Sequence, residues 1–158
     1  MMRCAMGISR ELAFEQAKVK WPGVALEYGA WSAHLDALGW RGEAPATSAS
    51  LFLCCACAQR DPEACNALEQ AYLSPLRGVA ARENADEEFI DWVMQAARQQ
   101  LLGPPQPKIA AYDGRRPLSD WLRLLVHRTA LGQKLADRAI AGVEAVPPPE
   151  VRRVRQAT

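Results

Sequence analysis

The sequence has no long apolar run. The longest unbroken stretch of apolar residues, Leu51 to Ala58, has eight residues, whereas a helix that spans a bilayer needs about 20. The N-terminus also lacks a long apolar stretch, because Arg3 interrupts residues 1–8 and the polar Ser9, Arg10 and Glu11 follow them, whereas a secretory signal requires a longer apolar segment. We therefore expect no membrane contact and a cytoplasmic location.

Short catalytic motifs are missing as well. The chain contains no G-x-S-x-G, no phosphate-binding P-loop, no G-x-G-x-x-G and no H-E-x-x-H, which mark several large enzyme classes. Its two histidines, His34 and His127, have no cysteine or carboxylate at a spacing that would place both groups on one face of a helix. We therefore expect no catalytic activity and no cofactor.

The five cysteines do not form a recognisable framework. Cys54, Cys55 and Cys57 lie within four residues of one another, and on a helix they point in three directions, because same-face neighbours are three or four residues apart. They cannot share one metal ion as zinc ligands do. We expect no metal site, and we expect these thiols to act as small buried apolar side chains in a reducing compartment.

Signals for β-hairpins are also scarce. The one Asp-Gly pair, at residues 113–114, is followed by a long helical pattern and not by an alternating strand. Apolar residues make up 49% of the chain, which is enough for a packed core, so we predict an all-α fold. Candidate helices over residues 9–20 and 26–38 form a short helical N-terminal arm, assigned to residues 1–46.

A compact helical bundle is predicted for residues 47–141. The small-residue linker over residues 42–50 marks the boundary between the arm and this bundle. Asp61 caps its second helix and Pro62 lies in the first turn of that helix, as is common at helix starts. Residues 142–158 are predicted to form a Pro-rich linker and a basic tail. The bundle has about four helices, over residues 51–59, 61–83, 86–102 and 117–141, with a loop over residues 104–116 before the last one.

The last of these helices carries a row of cations. The formal net charge of +1 conceals an acidic segment over residues 61–102, with net charge −5, and a basic segment over 103–158, with net charge +5. Within the basic segment, four side chains fall inside an arc of about 60°, and Arg128 flanks them. Such a row favours a nucleic-acid-binding surface over an ordinary solvated face or a helix that lies on a membrane surface. This cationic stripe consists of Arg123, His127, Lys134 and Arg138.

The loop before this helix has the parts of a single-strand binding site. Residues 108–116 combine cations, one aromatic ring and a flexible glycine, which suit a phosphate backbone and an unstacked base. Two interpretations of Tyr112 remain open: its ring faces a base, or it pins the loop to the core. Trp121, near the middle of the apolar arc of the last helix, is predicted to be a core residue.

Three segments in this order resemble region 2 of the sigma-70 family of RNA polymerase sigma factors, particularly the small extracytoplasmic-function type. They are DPEA with LEQAYL (residues 61–73), IDWVMQAAR (90–98) and YDGRRPLSDWL (112–122). The resemblance spans about residues 51–138, over half of the chain. It implies a helical domain that binds core RNA polymerase and promoter DNA in transcription initiation.

By this resemblance, the RNA polymerase-binding residues are Asp91 and Gln95, at positions that contact the β′ clamp helices, and Arg98 in the same segment. The loop over residues 108–116 corresponds to the segment that holds a flipped base from the non-template strand of the −10 element. Family members also contact the promoter backbone from the helix that follows. With the cationic stripe, the predicted DNA-binding residues are Lys108, Tyr112, Arg115, Arg116, Arg123, His127, Arg128, Lys134 and Arg138.

Two functions remain open. The chain is either a sigma-like domain that helps to open promoter DNA, or a sigma-like decoy that competes for polymerase or for an anti-sigma factor. A decoy would not need the cations at positions 108, 115 and 116. Three departures from the family accompany this choice. Trp92 stands where an acid is usual, Gly132 takes the place of a common aspartate, and we expect no region 4 domain after the Pro-rich linker.

Overall fold

The computed structural model of the protein describes residues 8–144, with side chains through residue 142, and this part of the chain is almost entirely helical. It contains no β-strand, only an isolated bridge between Ile8 and Ala44. The predicted all-α fold is confirmed, as are both helices of the N-terminal arm and the long last helix. The α-helices are α1 (Arg10–Lys20), α2 (Tyr28–Ala37), α3 (Ser48–Ala58), α4 (Pro62–Leu68), α5 (Arg77–Glu83), α6 (Glu87–Leu102) and α7 (Leu118–Glu144).

Helix α3 lies at the centre of the molecule. Its residues 51–57 are all buried, so the helix is enclosed on every side and not along one face only. Helices α1, α2 and α4 pack on it, together with a short 3-10 helix over Lys108–Ala111. The prediction that Cys54, Cys55 and Cys57 are buried is confirmed, and burial raises the pKa of the Cys55 thiol to about 11.

The N-terminal arm packs into the same core. The ring of Phe14 in α1 lies 5.6 Å from that of Trp31 in α2 and 5.5 Å from that of Phe52 in α3, measured between centroids. Arg10 of α1 adds an ion pair of 2.9 Å with Asp36 of α2. Residues that precede α3 therefore form one side of a shared hydrophobic core.

The single helix predicted over residues 61–83 is divided in the structure. A π-helical turn over Glu69–Leu73 and a 3-10 turn over Ser74–Leu76 separate α4 from α5. The cause is Pro75, which has no N–H to donate and whose ring clashes with the preceding turn of an α-helix. The start of the segment is as predicted, since the Asp61 carboxylate accepts a backbone N–H bond of 3.0 Å in the first turn. The bundle therefore has more helical segments than the four predicted.

An ion pair fixes the π-helical turn to α6. The Arg98 guanidinium donates two hydrogen bonds to the Glu69 carboxylate, of 2.6 and 2.9 Å, and each side chain is about one-third exposed. These hydrogen bonds lower the pKa of Glu69 and raise the pKa of Arg98. Arg98, predicted to bind RNA polymerase, thus has a partner within the fold.

Some expectations concern the ends of the chain and its surroundings. Within residues 8–144, no helix is long and apolar enough to pass through a lipid bilayer. The basic tail and nearly all of the Pro-rich linker predicted over residues 142–158 lie outside the described residues. The boundary between arm and bundle at residue 46 stays a prediction.

We expect Glu69→Gln to lower the free energy of unfolding at neutral pH by about 1 kcal/mol, a value limited by the partial exposure of the pair. Because folding lowers the pKa of Glu69, the stabilisation is present above the unfolded pKa and is lost as the pH falls through the folded pKa. Urea unfolding of both proteins from neutral pH down to about pH 3 measures this difference, which should shrink towards zero. The exposed Glu43→Gln serves as the control, and an advantage of wild type over Glu69→Gln that does not change with pH would contradict the assignment.

Candidate nucleic-acid interface

The loop between α6 and α7 is held by residues that precede α3. The Trp40 indole N–H donates to the Asp113 carbonyl at 2.8 Å, and the Thr47 hydroxyl donates to the Gly114 carbonyl at 2.7 Å. The Arg115 guanidinium lies over the Trp40 ring, 4.3 Å from its centroid, a favourable cation–π geometry. Arg115, predicted to contact DNA, is thus engaged with the N-terminal arm while about half of its side chain stays exposed.

Tyr112 pins this loop to the core. Its ring is completely buried and lies 5.4 Å from the ring of Trp121, and its hydroxyl donates to the Arg116 carbonyl. Burial raises the pKa of Tyr112 to about 12. Of the two interpretations, the structure therefore favours the one in which Tyr112 pins the loop to the core. The prediction that Tyr112 contacts a base is corrected, because a buried ring has no free face.

A first groove on α7 contains two of the predicted DNA-binding cations. We call it the Trp121 groove; it has a volume of about 270 Å³. Lys108 and Arg128 are exposed there, and Trp121 is only half-buried instead of fully within the core as predicted. The aromatic side chain beside these cations is therefore Trp121 and not Tyr112. The lining residues are Gln100, Lys108, Ala111, Trp121, Leu124, Leu125 and Arg128.

A second groove lies between α5 and the first half of α7. We call it the arginine groove; it has a volume of about 380 Å³ and shares Leu124 with the Trp121 groove. Arg116, Arg123 and His127, all predicted to bind DNA, meet here. Arg82 joins them from α5, although the sequence places it in the acidic segment. The lining residues are Val79, Arg82, Glu83, Arg116, Asp120, Arg123, Leu124 and His127.

The cationic stripe is not a continuous free row. Glu83 at the end of α5 faces it, and its carboxylate lies 3.4 Å from His127 Nε2 and 3.3 Å from Lys134 Nζ. Only 18% of the Glu83 side chain is exposed. The stripe was predicted to contain no acid, but Asp120 in the first turn of α7 lines the same groove as Arg123 and His127. An acid from another helix, Glu83, offsets a further part of its charge. His127 and Lys134 are therefore less available to phosphates than Arg123 and Arg138, which are exposed.

Two of the predicted polymerase-binding residues share an exposed face of α6. Asp91 and Gln95 are exposed one turn apart, and Asp91 forms an ion pair of 2.9 Å with Arg77 of α5. Trp92 is next to them and 51% exposed. Arg98 belongs to this side of α6 but is bound by Glu69.

Comparison with known proteins adds no further information, since no protein-family model, curated protein or solved structure matches the chain. In the part of the chain that the structure describes, no group of three or more histidine, cysteine or acidic side chains is placed to hold a metal ion. What the site can do must therefore be inferred from its own charges and surfaces.

The loop conformation depends on glycine at position 114. Its φ is +79°, and a Cβ there would lie 2.7 Å from Leu51 Cδ1 and 2.7 Å from Thr47 Oγ1. Gly42 has a similar φ of +72°, but a Cβ there would meet no atom within 4 Å. The two glycines therefore separate the cost of a left-handed backbone from the cost of a steric clash.

We expect Gly42→Ala to cost about 1 kcal/mol of unfolding free energy, from the backbone alone. Gly114→Ala should cost about 1–3 kcal/mol more, because Leu51 is in the tightly packed core and has little room to move. Urea unfolding of both variants measures the difference. Equal costs for the two substitutions would show that the loop does not press on α3 as the structure describes.

Proposed function

We propose that this chain is a sigma region 2-like domain that binds core RNA polymerase and the non-template strand of a −10 promoter element, without catalysis of its own. The observation that carries the proposal is the Trp121 groove, where two exposed cations share a surface with a half-buried aromatic ring. Cations that follow a phosphate backbone and a ring that stacks on a base are the usual elements of single-strand recognition.

Unpairing of the promoter requires no hydrolysis in this proposal. Binding of an unstacked base offsets the few kcal/mol that unpairing costs. Lys108 and Arg128 are assigned to phosphates, which position the strand, and Trp121 is assigned to stacking on a base, which adds affinity with little dependence on the identity of the base. The anchored loop keeps Lys108 in place, because Ile109 next to it is completely buried.

Polymerase binding is assigned to the exposed face of α6. Asp91 and Gln95 offer polar groups there, and Trp92 offers an apolar surface. Aromatic side chains are enriched in the centres of protein interfaces, with polar groups around them. Trp92 replaces an acid that the sigma family usually has at this position, so its ring would supply the affinity that the acid provides in other members.

The decoy function has one observation in its favour. Glu83 already pairs with Lys134 and lies 3.4 Å from His127 Nε2, so the cationic stripe offers fewer free groups to DNA than its sequence suggests. A decoy would bind polymerase, or an anti-sigma factor, through α6 and would have no measurable affinity for single-stranded DNA.

We expect wild type to bind short single-stranded oligonucleotides, and we expect Lys108→Gln with Arg128→Gln to weaken all of them alike. The dependence of affinity on salt should fall by about 0.7 in log–log slope for each lost phosphate contact. Fluorescence-anisotropy titration at several salt concentrations measures both effects. The double variant Lys18→Gln with Arg41→Gln removes two exposed cations from the arm and should change neither.

Trp121→Leu should act differently, weakening all oligonucleotides by about 1–3 kcal/mol through lost stacking while leaving the salt dependence of binding unchanged. Its thermal unfolding must be recorded beside the titration, because Trp121 also packs on Tyr112. If folded wild type binds no oligonucleotide even with core polymerase present, the decoy function replaces the proposed one.

We expect Asp91→Ala with Gln95→Ala to reduce co-purification with core RNA polymerase while changing the unfolding free energy by only about 0.5 kcal/mol, since both positions are exposed. The matched control is Glu15→Ala with Gln16→Ala, which likewise removes one carboxylate and one glutamine from an exposed part of α1. Retention of polymerase binding in the α6 variant would show that the interface lies elsewhere.

A further inference from the structure

The arginine groove brings together three cations that have no partner in the described part of the chain. Arg82 comes from α5, Arg116 from the loop and Arg123 from α7, and all three line one groove. Within residues 8–142, none of their guanidiniums has a carboxylate within 4.0 Å or a side-chain hydrogen bond. Three like charges at one groove repel one another, and a multiply charged anion would remove this repulsion.

The two carboxylates of the groove do not cancel these charges. Glu83 is already held by Lys134 and by His127, so it contributes little repulsion towards an anion. Asp120 is exposed in the first turn of α7 and has no ion pair in the described residues. Its carboxylate can accept a hydrogen bond from an amine or hydroxyl group of a ligand.

The groove also has an apolar wall. Val79 is only 7% exposed, and Leu124 is half-buried between the two grooves of α7. A site that combines guanidiniums, an apolar wall and one acceptor suits a ligand with a phosphate group, a flat ring and polar hydrogens. These are the parts of a nucleotide.

We propose that the arginine groove binds a free nucleoside polyphosphate, with its phosphates at Arg82, Arg116 and Arg123 and its base against Val79 and Leu124. This site is separate from the Trp121 groove, and the proposal does not depend on binding to polymerase or promoter DNA. A bound polyphosphate would place several negative charges beside the predicted single-strand surface, so it would also oppose the approach of DNA.

The clustering of the guanidiniums favours a polyphosphate over a nucleic-acid strand. A strand carries one charge per nucleotide, spread along its length, and a row of cations matches that pattern. A polyphosphate carries its charges on adjacent phosphorus atoms, and several guanidiniums around one space match it because each can donate two parallel hydrogen bonds to phosphate oxygens. Arg82, Arg116 and Arg123 come from three segments and meet around one groove, which is the second arrangement.

The test is a fluorescence titration of the full chain with an ATP analogue that carries its label on the ribose. We expect saturable binding, and we expect Arg82→Gln with Arg123→Gln to weaken it by about tenfold or more. Lys108→Gln with Arg128→Gln removes the same charge from the Trp121 groove and should change the affinity by less than about twofold. Arg82→Lys keeps the charge but loses the planar donor pair, so it should give a partial loss.

Competition identifies the chemistry of the ligand. Unlabelled ATP should displace the analogue better than AMP, because AMP lacks the clustered phosphates, and better than inorganic triphosphate, because triphosphate has no base for the apolar wall. Equal weakening by the two double variants would overturn the proposal in favour of non-specific attraction. Absence of saturation up to about 1 mM analogue, which would leave a binding free energy weaker than about −4 kcal/mol, would overturn it as well.

A single-stranded oligonucleotide separates this site from the proposed function. If it displaces the analogue completely, and Arg82→Gln with Arg123→Gln weakens the oligonucleotide as much as the analogue, the groove belongs to the strand path and the proposal of a separate nucleotide site is wrong. If the analogue binds while no oligonucleotide does, the nucleotide site stands and the promoter-binding function fails.

Discussion

The enclosure of α3 is the constraint on which the rest of the structure depends. A helix whose residues 51–57 are all buried must have neighbours on every side, since each large apolar side chain left in water would cost about 1.5–3 kcal/mol. Helices α1 and α2 supply one side, α4 another, and the 3-10 segment before α7 a third. The N-terminal arm is therefore required for the core even though it lies outside the sigma resemblance.

This enclosure also positions the candidate interface. The segment that closes α3 on the side of α7 contains Ile109 and Tyr112, both completely buried. The backbone positions of Lys108 and Arg116 are therefore set by packing of this segment on the core. Trp40 and Thr47 hold the backbone on the other side of the same segment. The arm is thus in contact, through a hydrogen bond and a cation–π contact of Trp40, with the loop that leads into the surface we assign to DNA.

Periodicity and capping residues were sufficient to predict the helices of the arm, the long α7 and the helix start at Asp61, because these depend on neighbours a few residues away. The break near Pro75 was available in the sequence, but its exact form, a π-helical turn held by Arg98, depends on a residue in another helix. For the same reason, the partnership of Glu83 with His127 and Lys134 could not be predicted. Arg82 was missed because it lies in a segment whose net charge is negative. The two interpretations of Tyr112 could not be separated because they differ only in what the ring packs on.

The two halves of α7 have different surroundings. Ala130 is the last buried residue of α7 among those whose side chains are described, and none of residues 131–142 is buried, so the helix continues for about 20 Å with little tertiary support. An unsupported helical segment of this length is close to the limit of stability in water. The helix thus joins a half set in the core to a half whose described residues beyond Lys134 form no ion pair or hydrogen bond with another helix. Leu131, Leu135 and Ile140 are exposed along that second half, so one continuous element has both a surface fixed by the core and an apolar surface with little tertiary support.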